Sequence, residues 1–383
     1  MSQLPPLYHR GSVKNILGDV DDKELVFSYS NRYSVFDWGE MPDHIPQKGA
    51  CLAAMAYMFF DALSDAEKWK TWSHVDAQDN PMLGKLQESG LDHHMSQGLV
   101  DEDLSACPLQ SPTPYLHVHK VDVHRPSFDG EKYDYQLYQT RPTNALVPLE
   151  IIFRFGVPNG SSLMKRVNNE AYLAELGLDE KPNFGDIFSK PVIEYSTKLE
   201  STDVYIPFAQ AKEMAGLTEV EAQNLRDLVF VLSLRLRDIF SASDLFLWDG
   251  KFEFAFSKER DAQGNRSFVL VDSIGPDELR LTYDGVQLSK ECLRQPYRGG
   301  AWHTALEQAK KIAKERNTRD WKKICTDELE SHPENLNPQF IEQIAQLYKS
   351  LTNAIATQLY NESIFANAWT LEQVADTLRQ KNA

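Results

Sequence analysis

Two strand-forming runs, LFLWDGKFEFAF (residues 245–256) and SFVLVDSI (267–274), are separated by the polar stretch SKERDAQGNR, which contains Gly264. Apolar runs joined in this way fold back on each other as a long antiparallel hairpin. Side chains alternate across a strand, so Asp249, Lys251 and Glu253 share one face, while Trp248, Phe252, Phe254 and Phe256 fall mainly on the other. On the returning strand Phe268, Leu270 and Asp272 share a face, and antiparallel pairing brings Asp272 beside the charged side. Two carboxylates a strand apart with a lysine between them suit Mg²⁺ and a polyphosphate, because magnesium takes oxygen ligands from one or two carboxylates plus phosphates. By pattern alone, a solvated surface hairpin with paired charges is the commoner outcome.

The hairpin follows the clearest helix in the chain. Thr218 and Glu221 form a capping box, and Leu225, Leu228, Val229, Leu232, Leu236, Ile239 and Phe240 hold a 3.6-residue apolar stripe that ends near Ser243. Upstream, KELVFSYSNRYSVFDW reads as broken strands, and a mostly apolar helix opens at Gly49. Residues 76–113 are polar with scattered Gly and Pro and read as an insertion or long loop. YLHVHKVDVHRP and YDYQLYQT alternate as strands, and Leu149 to Phe155 reads as a buried strand. Beyond Gly299 the pattern is helical, with Pro338 and Thr370 at helix starts. The class is α+β: a β-rich part over 1–142 that contains the 76–113 stretch, a mixed part over 143–299, and a helical extension over 300–383 expected to pack on the second part.

Composition excludes several functions. A net charge of −16 disfavours a nucleic-acid binder, which needs a basic surface, but leaves room for an anionic substrate in a local basic pocket. Cys51, Cys107, Cys292 and Cys325 lie far apart with no CxxC spacing, which argues against zinc or a disulfide framework and for reduced thiols in a cytosolic protein. No secretory signal is expected from MSQLPPLYHRGS, and no run of about 18 apolar residues suggests a membrane span.

Other segments carry candidate chemistry. FRFGVPNGSSLMKRV places Arg154 at the end of an apolar strand, followed by a Gly–Ser turn with Ser161 and Ser162 and then by Lys165 and Arg166, a plausible cradle for phosphate or carboxylate. HRGSVKNIL offers Gly11 and Lys14 as a lid over phosphates, without Walker A spacing. PVIEYSTKLESTD contains Lys198 and Asp203, and SIGPDELRL contains Asp277 and Arg280. His117 and His119 share a strand face but lack the partners of a zinc site. Protein-kinase catalytic motifs and a G-x-S-x-G elbow are absent.

In this order the segments resemble one family, the SAICAR synthetases (phosphoribosylaminoimidazole-succinocarboxamide synthases) of purine biosynthesis. The resemblance rests on GSVK (11–14), SVFDWG (34–39), KGA (48–50), VPLEIIFR…GSSLMKR (147–166), STKLE…D (196–203), WDGKFEF (248–254) and VDSIGPDELRL (271–281). It implies an ATP- and Mg²⁺-dependent ligase that joins L-aspartate to carboxyaminoimidazole ribotide (CAIR), with a two-lobed fold related to ATP-grasp and kinase-like architectures and the nucleotide between the lobes. Site roles follow from it: Glu253 and Asp272 at Mg²⁺; Gly11, Lys14 and Lys251 at the phosphates; Arg154, Ser162 and Arg280 at the ribotide; Ser161 and Asp37 among the substrate-binding residues; Lys198 and Asp203 at the aspartate end. Adenine would meet the hinge between Thr143 and Glu150. The partners implied are small molecules, with neither nucleic acid nor membrane, and the extension would cap the second lobe or join copies of the chain. The sequence departs from the family pattern at Ser12, where a lysine is usual, at Ser273, where an acid is usual, and at Gly250 in the D-x-K step. Those departures leave open a related amide ligase with another substrate, or a nucleotide-binding scaffold without activity.

Overall fold

The computed structural model describes residues 3–381. Its first sheet is antiparallel throughout, in the order β1-β2-β3-β5-β4, built from β1 (Leu7–Arg10), β2 (Lys14–Leu17), β3 (Glu24–Tyr29), β4 (Met95–Val100) and β5 (Tyr115–His119). Leu25, Phe27 and Tyr29 alternate along β3 into the main core, where they meet the helix Lys48–Ser64. That helix is buried along nearly its whole length, and its alanines let neighbouring elements approach closely. A side chain at Gly49 would lie 2.4 Å from the Tyr29 carbonyl, so glycine is needed at this contact. The expected loop over 76–113 instead carries the helix Pro81–Ser89 and the edge strand β4. An edge strand with one polar side does not stand out from its flanking loops in sequence.

A small hairpin, β6 (Ser127–Phe128) with β7 (Tyr133–Asp134), precedes the second sheet. That sheet runs β10-β9-β8-β11-β13-β14, from β8 (Leu149–Gly156), β9 (Ile187–Thr197), β10 (Tyr205–Ile206), β11 (Leu245–Arg260), β13 (Leu279–Tyr283) and β14 (Val286–Gln287), with β12 (Arg266–Val271) also paired to β11. The hairpin read from the sequence is β11–β12, in register Glu253↔Val271. β11 is the spine: its first half pairs with β13, its middle with β8 and its second half with β12. The capped helix spans Glu219–Ser241, with both capping-box bonds present, and packs on this sheet.

The two sheets are stitched together. Leu270 N donates to Asp92 O at 2.8 Å, His94 N donates to Leu270 O at 3.0 Å, and His119 N donates to His94 O at 2.6 Å. One contiguous core therefore extends from β3 to the last helix. The extension also reaches further than expected. Its helix Pro338–Tyr360 lies mainly along the Lys48–Ser64 helix and also touches the Glu219–Ser241 helix, while Leu371–Lys381 packs on β13 and β14. The apolar stripe of the long helix shows that it is half covered without showing by what. Among the described residues no helix is long and apolar enough to cross a membrane, and all four cysteines are free.

Candidate active site

Strand alternation puts Glu150 of β8 and Lys251 and Glu253 of β11 on the same side of the sheet, and Lys198 follows β9 next to them. Lys198 Nζ donates to Glu253 Oε1 at 2.6 Å and to Glu150 Oε1 at 3.1 Å; Lys251 Nζ binds the same two oxygens, at 3.1 Å to Glu253. Burial works against both ammonium charges, but the two carboxylates outweigh it and raise both lysines. The same lysines hold Glu253 far below the usual carboxylate range despite its burial.

Above this cluster sits the end of the first sheet. Lys14 Nζ binds Asp272 Oδ1 and lies 4.2 Å from the centre of the Phe27 ring. Burial lowers Lys14 to about 8, against the opposing pull of Glu253 and Glu278. Asp272 has φ 69°, a left-handed conformation uncommon for a non-glycine residue and frequent where function demands it. Gly11 closes the turn before Lys14, with its N–H donating to Lys14 O at 2.9 Å; a β-carbon there would lie 2.7 Å from that oxygen. The flap expected over Gly11 and Lys14 is thus a tight β1–β2 turn with its lysine aimed at Asp272.

A cleft of about 280 Å³ opens beside the cluster, bordered by Glu150, Ser162, Tyr205, Lys251, Glu278 and Arg280. Arg154 also borders it, but its guanidinium is committed: Nε to Glu194, Nη1 to Asp249 at 2.5 Å, and Nη2 to Tyr205 at 3.2 Å and Ser162 at 3.4 Å. Its side chain is 2 % exposed. Asp249 stands between Arg154 on β8 and Arg280 on β13, and Arg280 Nε reaches it at 2.7 Å. Of the three charges on the first hairpin strand, Asp249 clamps the two arginines at the border of the cleft, Lys251 lines the cleft, and Glu253 is buried in the lysine cluster beside it. Arg280 is the more accessible arginine, at 16 %. Ser161 is buried with an unpartnered Oγ. Gly250 makes room for packing: a β-carbon would lie 2.3 Å from Leu279 and 2.7 Å from Phe153.

Asp203 lies on an exposed turn, yet desolvation by surrounding protein and then the charge of Glu150 push it up to about 6; Asp37 adds to the effect. Asp37 itself is exposed, in a turn where Phe36 and Asp37 both have positive φ, 54° and 64°.

Sequence reading missed several members of this region. Glu194 is fully buried and binds Arg154, Arg166 and Tyr172. Its place in the alternation of PVIEYST, beside the Arg154 strand, was the available signal. Lys48 is buried against Asp277 at 2.7 Å, and Tyr348 from the extension donates to the other oxygen of Asp277 at 2.5 Å. Glu278 has a buried oxygen without a partner, and burial followed by the nearby Asp277 pushes it up to about 7. Nothing in a single sequence announces contacts between positions so far apart.

Among the described residues no group of three or more His, Cys, Asp or Glu is arranged to hold a metal alone. In the β11–β12 register Glu253 faces Val271, not Asp272, which follows just past the strand at positive φ; the lysine bonds fall on Glu253 Oε1 and Asp272 Oδ1, so each carboxylate keeps a second oxygen. That donor set fits a hard cation that also takes phosphate oxygens.

Comparison with known proteins identifies the family. The SAICAR synthetase profile matches residues 7–309. A protein of Archaeoglobus fulgidus, provisionally named a phosphoribosylaminoimidazole-succinocarboxamide synthase, is 32% identical over 97% of this chain and 99% of its own length. The enzyme of that name from Thermoplasma acidophilum is 28% identical over 79% of this chain and 86% of its own. In fold, the chain resembles the SAICAR synthase of Saccharomyces cerevisiae complexed with SAICAR, with a TM-score of 0.55 and 20% identity over 95% of this chain and 97% of that one. A profile that runs from the first strand to the extension, and a relative aligned nearly end to end, establish that this chain belongs to the SAICAR synthetase family.

Proposed function

We propose that the cleft joins L-aspartate to CAIR at the expense of ATP, giving SAICAR, ADP and phosphate. A carboxylate is a poor electrophile. Transfer of the γ-phosphoryl group to a CAIR carboxylate oxygen breaks the bond to ADP and makes that oxygen a leaving group. The aspartate amine then attacks the carbonyl carbon, phosphate departs, and the nitrogen loses a proton as the amide forms. Such chemistry is dominated by positioning and charge neutralisation.

The observation that carries this reading is the Lys198–Glu253–Lys251–Glu150 cluster beneath the Lys14–Asp272 pair. In this assignment the first sheet and the second act as two lobes with the nucleotide between them and adenine near residues 143–150. Lys14 and Lys251 neutralise the phosphates. Glu253 and Asp272 hold Mg²⁺, which when bound offsets phosphate charge. Arg280 and Ser162 take the ribotide, and Arg154 keeps Arg280 in place through their shared Asp249. Lys198 and Asp203 face the amino acid, and Asp203, with its raised pKa, is suited to take the amine proton.

The test is direct. Purified protein receives ATP, Mg²⁺, CAIR and aspartate, and ADP and the amide are followed. Aspartate-dependent amide formation is expected. ADP release that ignores aspartate, or bound ATP without turnover, would sink the assignment.

A further inference from the structure

The SVFDWG turn belongs to the segments that carry the family resemblance, but what holds it lies largely at the far end of the chain. Tyr33 and Tyr297 share a buried hydroxyl–hydroxyl hydrogen bond of 2.7 Å. Phe36 packs on His303 with ring centres 4.4 Å apart and planes tilted by 45°, and Trp38 packs edge-on to Trp302 at 5.3 Å and against Trp321 at 6.0 Å. Asp43 accepts from Asn335 at 2.7 Å and from the Leu336 N–H at 2.6 Å. At the centre, Lys310 Nζ, on the helix Ala301–Glu315, donates to Phe36 O and to Asp37 Oδ2, both at 3.2 Å. Lys310, Trp321, Asn335 and Leu336 all lie beyond the residues matched by the family profile.

Two consecutive non-glycine residues at positive φ are unfavourable and persist only where their surroundings hold them. An ammonium group bridging the first residue's carbonyl and the second's carboxylate does this directly. The exposed Asp37 carboxylate is close enough to Asp203 to act on its charge, and Asp203 is the residue that the ligase reading puts at the amino-acid end.

We infer that Lys310 is a positioning residue: through the Phe36–Asp37 turn, the C-terminal extension sets the geometry of the subsite for the amino-acid substrate. The inference rests on the ligase reading above. The full chain with Lys310→Met removes both bonds, and Lys310→Arg can restore a donor to each. For Lys310→Met, the aspartate KM rises about tenfold, the loss of one charge-assisted hydrogen bond. The KM for ATP stays within about twofold, and Lys310→Arg recovers part of the loss. Equal changes in both KM values, or none, overturn the inference. A second readout does not need turnover: chymotrypsin should cut at Phe36 or Trp38 faster in Lys310→Met than in the parent chain, and unchanged cleavage overturns the tether. If the parent chain forms no amide, the ligase reading fails by itself, and the cleavage rates still decide whether Lys310 holds the turn.

Discussion

Glu253→Gln separates a catalytic face from a structural one. The substitution keeps volume and one acceptor oxygen but removes the charge shared by Lys198 and Lys251, leaving both ammonium groups on Glu150. Two unit charges about 4 Å apart interact by about 4 kcal/mol at the effective dielectric of such sites. Lys198 and Lys251 are 26% and 29% exposed, so water recovers much of that, and a stability loss of about 2 kcal/mol is expected. In a chain of this size that lowers the melting temperature by a few degrees, about 2 °C per kcal/mol. The effect on chemistry should be larger. A carboxylate that organises both lysines and a phosphate-bound cation acts where charge moves, and turnover should fall at least about a hundredfold, or about 2.7 kcal/mol. The assay pairs thermal melts with ADP release titrated by Mg²⁺. A lowered melting temperature with unchanged turnover and unchanged Mg²⁺ dependence would refute the reasoning and make the charged face structural.

Further outcomes follow from the same geometry. Asp203, raised to about 6, must be ionised to take a proton, so kcat/KM for aspartate should fall about tenfold per pH unit below that value; a limb near pH 4 would exclude it as the base. Arg154→Met leaves Glu194 and Asp249 buried with Arg166, Tyr172 and Arg280 as their remaining partners, and should cost about 3 kcal/mol in denaturant unfolding; a loss under about 1 kcal/mol would mean those partners suffice. Thr218→Ala removes the helix cap and should cost about 1 kcal/mol with unchanged kcat, since the cap is remote from the cleft; a change in kcat would show coupling through that helix.

Periodicity and local chemistry made much of this protein legible. The β11–β12 hairpin, the Glu219–Ser241 helix with its cap and the buried strand β8 were readable because each is specified by neighbours within a few residues. Alternation placed Asp272 with Phe268 and Leu270, which the register sets against the aromatic side of β11; its side chain meets Lys14 because the chain turns to positive φ just past the end of β12. Other features depended on partners distant in sequence. The edge strand β4 is a strand because β5 completes its bonds, not because its own residues insist on it. Arg154 reads as a ligand for phosphate until Glu194, forty residues away, and Asp249 occupy its guanidinium. Gly250 reads only as a departure from the family pattern until Phe153 and Leu279, packed against it, show why no side chain fits. The extension reads as a set of amphipathic helices, and only packing directs one onto the Lys48–Ser64 helix and another onto the Phe36–Asp37 turn. A sequence fixes which side chain faces which side of its own element. Whether that side meets water, a buried countercharge or a substrate is decided by the elements that tertiary folding places opposite it.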